Sequence, residues 1–229
     1  MSLKEVLEVK DLDGGYFLLT VAQKEAASVP GQFYMVGTGD GAKLLKRPLS
    51  VFDEGEGRLS FLVRTVGKGT ELMAQFTPGE RVDVEGPFGT GFPPVEEPIT
   101  FYGGGTGMAP GHHLLKTYGG EKVKVVLGLR APMEKLEGLF SEFQGSTAFV
   151  YGDNILAQGA PQGTVYTCGP EAMMEAVARG SSGKVYASLE GRMGCGFGVC
   201  LSCTCKTEQG RERVCTEGPV FDTEVLGWK

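Results

Sequence analysis

The sequence runs to 229 residues with a net charge of −6, 41% apolar and 22% charged residues. That is the balance of a soluble globular protein long enough for one large domain or two small ones. The acidic balance argues against nucleic acid as a partner, since phosphate binding needs a basic footprint. The start, MSLKEVLEVKDL, carries charges every few residues, so a signal peptide is not expected there. The longest uncharged run, Ile99–Leu115, holds five glycines and two histidines, so no membrane span is expected, and a cytoplasmic setting follows by default.

The first stretch reads as β-structure. VLEV, YFLLTVAQ, QFYMVGT, PLSVF, RLSFLVRTV and RVDVEG are short apolar or alternating runs, separated by the turn signals DLDGG, VPG, GDG and DEGEG. This spacing predicts a small antiparallel barrel over residues 1–95, interrupted by one short helix at Thr70–Phe76. After the proline-rich PPVEEP the pattern changes. ITFYGG, KVKVVLGLR, TAFVYGD, GTVYTCGP and KVYASLEG read as strands. MAPGHHLLKTYG, KLEGLFSEF and EAMMEAVARG read as helices between them. Alternating strands and helices predict an α/β domain with a parallel sheet over residues 96–190. Residues 191–229 have no clear periodicity and form a third, small segment. The fold class is therefore mixed: an antiparallel β-barrel, an α/β parallel-sheet domain and a C-terminal cysteine-bearing segment.

Four of the six cysteines fall at C-x4-C-x2-C-x11-C, as Cys195, Cys200, Cys203 and Cys215. In a reducing compartment, clustered thiols hold metal or do redox work. C-x4-C-x2-C with a distal fourth Cys is the plant-type ferredoxin spacing for a [2Fe–2S] cluster. Gly194, Gly196 and Gly198 let the loop wrap such a cluster closely. Structural zinc, which prefers two C-x2-C knuckles, and thiols that fill a core are the alternatives. Cys205 is a buried bystander or the substitute ligand.

Three further stretches carry binding signals. GGGTGMAP, with Gly103, Gly104, Gly105, Thr106 and Gly107, joins a strand to a helix, where amides and a helix N-terminus favour a phosphate. It is neither G-x-G-x-x-G nor a Walker A loop, and a turn that binds nothing is the plain alternative. YTCGPEAM repeats the strand-to-helix arrangement, and ligands collect at the carboxyl ends of such strands. Cys168 is thus a candidate cofactor-pocket and catalytic residue, against the alternative of a small buried hydrophobe. In KRPLSVF, Arg47 suits diphosphate and Ser50 a ring nitrogen, against the alternative of an ordinary exposed basic residue. GKGT can cap a phosphate, or simply cap its helix. His112 and His113 read as helix-surface or core residues.

Taken together, RPLS, LVRTVGKGT, GPFGTGF, GGGTGMAP and YTCGP resemble the ferredoxin–NADP reductase-type module. The run MGCGFGVCLSCTCKT…RVCTEGPVFDTEVLGW resembles, more narrowly, the electron-transfer subunits of the NAD-linked dihydroorotate dehydrogenase B class. The resemblance implies FAD held by Arg47, Pro48, Leu49, Ser50, Leu62, Val63, Arg64, Gly69 and Thr70, and NAD(H) as substrate at the glycine loop. It implies a [2Fe–2S] cluster on Cys195, Cys200, Cys203 and Cys215. It also implies an FMN-containing catalytic partner, in a heterotetramer serving pyrimidine biosynthesis. The implied relay runs between nicotinamide, flavin, cluster and partner flavin, with net flow in the family from dihydroorotate to NAD+. A flavin and iron–sulfur subunit of a hydrogenase, a sulfur reductase or a transhydrogenase-like complex is a second reading. A non-catalytic nucleotide-binding scaffold with structural zinc is a third. Arg130 stands where a ribose-binding acid is often found, and it could accommodate a 2′-phosphate. An exposed apolar patch is expected around Phe197 and Leu201.

Overall fold

In the computed structural model, residues 2–24, 28–39, 45–152, 154–157 and 159–229 are described. Part of the expected GDG turn and Asp153 lie outside them. The alternating runs of the first third form β1 (Leu3–Asp11), β2 (Tyr16–Ala22), β3 (Phe33–Val36), β4 (Arg47–Gly55), β5 (Arg58–Arg64), the short helix α1 (Lys68–Met73) and β6 (Arg81–Phe88). The strands close into an antiparallel barrel in the order β1-β2-β5-β4-β3-β6, so no edge is left open. Alternate side chains point inward, among them Leu19, Tyr34, Val36, Leu59, Phe61 and Val84, and Met73 of α1 closes one end. The tight β4–β5 connection needs two left-handed residues, supplied by Glu56 (φ 52°) and Gly57 (φ 82°). The helix expected at Thr70–Phe76 starts earlier and stops at Met73.

Beyond the prolines come β7 (Ile99–Gly104), α2 (Ala109–Tyr118), β8 (Val123–Leu129), α3 (Glu134–Glu137), β9 (Thr147–Tyr151), β10 (Val165–Cys168), α4 (Glu171–Gly180) and β11 (Val185–Ser188). A hairpin, β12 (Thr204–Thr207) with β13 (Gly210–Arg213), and β14 (Val220–Asp222) complete the chain. The second sheet runs β14-β11-β10-β7-β8-β9. Its five consecutive neighbours from β11 to β9 are parallel.

Two features differ from the pattern read in the sequence. The helix expected at KLEGLFSEF is a single α turn that relaxes into a 3-10 coil over Gly138–Ser146. Residues 191–229, read as a segment without clear periodicity, also give one strand to the second sheet. Residues 220–222 return and pair antiparallel with β11, Tyr186 opposite Asp222. Thr223, fully buried, then donates its hydroxyl to the Val185 carbonyl at 3.2 Å.

Barrel and sheet share one core. Phe52 and Leu62 of the barrel are in the same apolar cluster as Phe101, Leu114 and Leu127 of the sheet. Helix α2 lies against β4, where His112 stacks on Phe52 with centroids 3.9 Å apart and bonds the Phe52 carbonyl through Nδ1 at 3.0 Å. On the other side, Phe92 stacks on Tyr166 at 4.7 Å, and the Tyr166 hydroxyl donates to the Pro93 carbonyl. A smaller cluster joins Phe33 and Met35 of β3 to Met193, Cys203, Val214 and Cys215. Burial of each large side chain in these seams contributes about 1.5–3 kcal/mol.

Candidate functional site

A cleft of about 550 Å³ opens where barrel, sheet and C-terminal segment meet, a size suited to a cofactor. Antiparallel pairing of β3 and β4 sets Phe33 opposite Ser50 and Met35 opposite Pro48. Arg47, Pro48, Leu49 and Ser50 line the cleft from β4, Leu62, Val63 and Arg64 from β5, and Thr70 from α1. Gly69 does not line it but makes room for it. A Cβ there would fall 2.4 Å from Arg47 Nη2, so the guanidinium lies directly over the glycine. Arg64 stands 5.4 Å above the Tyr16 ring, which also lines the cleft.

The glycine loop enters from the opposite wall. Gly104, Gly105 and Thr106 line the cleft, whereas Gly103 and Gly107 lie behind them. In the parallel register Gly103 is level with Cys168, so the loops after β7 and β10 leave the sheet side by side. They touch backbone to backbone. A Cβ on Gly107 would meet the Cys168 carbonyl oxygen at 2.3 Å, and one on Gly169 the Gly104 oxygen at 2.8 Å. Cys168 lines the cleft but is almost wholly buried. Burial, then the charge of Glu190, push its thiol well above the usual range. It stands there as a neutral thiol.

Several lining groups carry no signal in the sequence. Tyr16, Phe33 and Glu190 come from segments with no motif of their own, and Met193 opens the cysteine run without being one of its ligand candidates. Glu190 follows β11, accepts a hydrogen bond from Thr106 Oγ1 at 3.3 Å, and is held above the usual carboxylate range by burial. Arg130 is exposed at the end of β8, outside the cleft lining. The nearby Glu137 is already engaged by the Met133 amide and the Tyr151 hydroxyl. His112 and His113 are buried residues of α2, outside the cleft lining.

The cysteine segment forms the third wall. Its loop is pressed onto the barrel at Gly196, where φ is +82° and a Cβ would come 2.5 Å from Met35 Cγ. The thiols sit in two pairs. The Cys200 amide donates to Cys195 Sγ at 3.4 Å, and Cys203 and Cys215, both buried, hydrogen-bond each other. Ser202 hydrogen bonds hold the exposed Cys200 thiol down at about 6, whereas burial pushes Cys215 up to about 11. The Gly198 amide donates to Cys215. Among the described residues, no group of three or more His, Cys, Asp or Glu side chains is placed to hold a single metal ion. Two thiol pairs supplied with amide donors fit a two-iron cluster, with two thiolates per iron, better than one tetrahedral ion. Cys205 sits on β12 opposite Glu212, its thiol raised by burial. Around this cage Phe197, Val199 and Leu201 are 53%, 73% and 60% exposed, so the apolar patch also takes in Val199. Among the described residues, no helix is long and apolar enough to cross a membrane.

Residues 190–227 match the family profile described as the iron–sulfur cluster binding domain of dihydroorotate dehydrogenase B. The electron transfer subunit of dihydroorotate dehydrogenase B (NAD(+)) from Clostridium acetobutylicum is 34% identical, over 96% of this chain and 94% of that protein. Its counterpart from Geobacillus kaustophilus is 40% identical over 84% of each. Among solved structures, the NADH-dependent reduced ferredoxin–NADP oxidoreductase superposes with a TM-score of 0.81, over 98% of this chain and 90% of that one at 24% identity. A Neisseria gonorrhoeae ferredoxin NADP+ reductase with bound FAD and NADP gives 0.61, over 78% and 89% at 17% identity. At these identities the structural likenesses speak to fold alone.

Proposed function

The chain belongs to the family of dihydroorotate dehydrogenase B electron transfer subunits, and on that premise we propose that it carries electrons between NAD(H) and an FMN-bearing dihydroorotate dehydrogenase catalytic subunit. It would do so in pyrimidine biosynthesis, within a heterotetramer of two subunits of each kind. FAD would occupy the cleft, and a [2Fe–2S] cluster would be held by Cys195, Cys200, Cys203 and Cys215. When bound, these groups supply the conversion between the two-electron chemistry of nicotinamide and one-electron transfer to the partner.

The chain's own residues bind, orient and exclude water. Arg47, lying over Gly69 beside Thr70 at the start of α1, offers a fork of donors to a diphosphate. Ser50 and the apolar faces of Leu49 and Leu62 suit a flat ring system. Gly104, Gly105 and Thr106 bring backbone close to a nicotinamide nucleotide on the facing wall. Cys168, as a neutral thiol, would add no charge to the cleft wall beside a bound nicotinamide, whose hydride chemistry the cofactor would supply. The observation that carries the reading is the shared wall. Phe33 and Met193 line the cleft and also pack against Cys203 and Cys215. A flavin in the cleft and a cluster in the cage would thus be separated by one layer of side chains.

Two pairs of thiols and the match over residues 190–227 favour this over a zinc scaffold. The reading is tested by replacing Cys200 with Ser in the chain assembled with its catalytic subunit. Reduction of bound flavin by NADH should persist, while transfer between NADH and the partner's flavin should fall to background with the cluster's visible and EPR signals. Transfer that survives without the cluster would overturn the path, and a colourless, zinc-loaded wild-type chain would overturn the function.

A further inference from the structure

The thiol pairs come from two separate pieces of chain, the loop 195–203 and the turn at Cys215, and one side chain ties them together. Arg213 is the last residue of β13. Its Nη1 donates to the Gly198 carbonyl at 3.2 Å, midway between Cys195 and Cys200. Its own carbonyl accepts the amides of Thr216, Glu217 and Gly218 at 3.2, 3.0 and 3.3 Å, which curls the chain around Cys215. Its Nε and backbone amide both donate to Glu217 Oε2, at 3.0 and 2.7 Å, and Nη2 pairs with Glu217 Oε1. The fork therefore points one arm at the cluster loop and is held by a carboxylate on the other side. Gly198 makes the approach possible. Its φ is +89°, and a Cβ there would come within 3.3 Å of Arg213 Nη1 and 2.9 Å of Thr216 Cγ2.

We propose that Arg213 is a positioning residue for electron transfer: it clasps the cysteine loop to the Cys215 turn, and its charge, partly masked by Glu217, raises the reduction potential of the cluster between them. A fixed cation beside the thiolates favours the form with one more electron, and a fixed anion opposes it. Arginine suits both duties, because one planar fork can serve a carbonyl and a carboxylate at once. The inference rests on the reading of the four thiols as cluster ligands.

An EPR-monitored redox titration of the full chain carrying its cluster tests it. Arg213→Gln leaves Glu217 unmasked and should shift the one-electron equilibrium toward the oxidised cluster at least tenfold, a fall of about 59 mV. Arg213→Lys keeps the charge without the fork and should recover more than half of that fall. Glu217→Gln unmasks Arg213 and should raise the potential. A rise in Glu217→Gln sustains the proposal even where Arg213→Gln no longer holds a cluster. An unshifted potential in either cluster-loaded glutamine variant overturns it, as do shifts of the same sign, or an Arg213→Lys chain as low as Arg213→Gln. A wild-type chain with no cluster signal overturns both this inference and the proposed function.

Discussion

Gly107 and Gly138 differ by nothing but their surroundings, and the same substitution should have opposite effects at the two. A methyl at Gly107 would fall 2.3 Å from the Cys168 carbonyl oxygen and 2.6 Å from the Gly169 nitrogen. Those are backbone atoms of a neighbouring loop and cannot swing aside. Gly107→Ala should therefore push the two cleft loops apart and cost about 1–3 kcal/mol by overpacking. NADH affinity should weaken in parallel, because the displaced Gly104–Thr106 segment lines the cleft. At Gly138, with helical φ of −58° and open space around the new methyl, Gly138→Ala should be neutral or stabilising by up to about 1 kcal/mol. Urea unfolding of both variants, with NADH titration of the first, checks the pair. Equal stabilities would mean that the loops are free to part.

At the scale of elements, the cysteine loop depends on its seat on the barrel. Gly196 combines a left-handed φ of +82° with Met35 Cγ only 2.5 Å from the place a Cβ would take. Gly196→Ala should cost roughly 1–3 kcal/mol locally, and lower iron and acid-labile sulfide per chain while flavin content is kept. Unchanged sulfide would show that the loop does not need β3. The four cysteines could be singled out as candidates because their spacing is a local property of the chain. The strands were legible because their apolar periodicity is local too. The seat of the loop was not, because Met35 and Gly196 are brought together only by the fold. Strand β14 escaped for a similar reason. Val220–Asp222 is three residues long, too short for a period, and it is a strand because β11 offers it an edge. Glu190, likewise, stands alone in the sequence, and the fold sets it in the cleft wall beside Thr106, from which it accepts a hydrogen bond.

Over the whole molecule, the cleft is only as firm as the seam between barrel and sheet, and two histidines make that seam sensitive to acid. His112 stacks on Phe52 and bonds its carbonyl, while His113 Nδ1 is buried without a hydrogen-bond partner among the described residues. Burial lowers both, His113 to about 4; the bond to the Phe52 carbonyl and the charge of Asp53 oppose it at His112, and the charges of Glu54 and Asp53 at His113. Above the ordinary histidine value of about 6.5 both rings are neutral, folded or unfolded, and the seam is at full strength. As pH falls below that value, the unfolded chain takes up protons that the folded chain refuses, so stability drops until His113 itself titrates near 4. For His113 alone the loss over that window is about 3 kcal/mol, and His112 adds to it in the same direction. Glu190 acts oppositely. Its raised value favours folding at low pH and subtracts from stability as pH rises through that value. Phe52 lies on the same strand as Arg47–Ser50, and α2 continues directly from the glycine loop. Loosening the seam should therefore release flavin from the cleft as the chain unfolds. The urea midpoint and the fraction of flavin retained by the chain, separated from released flavin by gel filtration, should fall together from pH 7.5 to 4.5, and His113→Asn should flatten the pH dependence. A fall of undiminished size in that variant would assign the acid sensitivity to other groups.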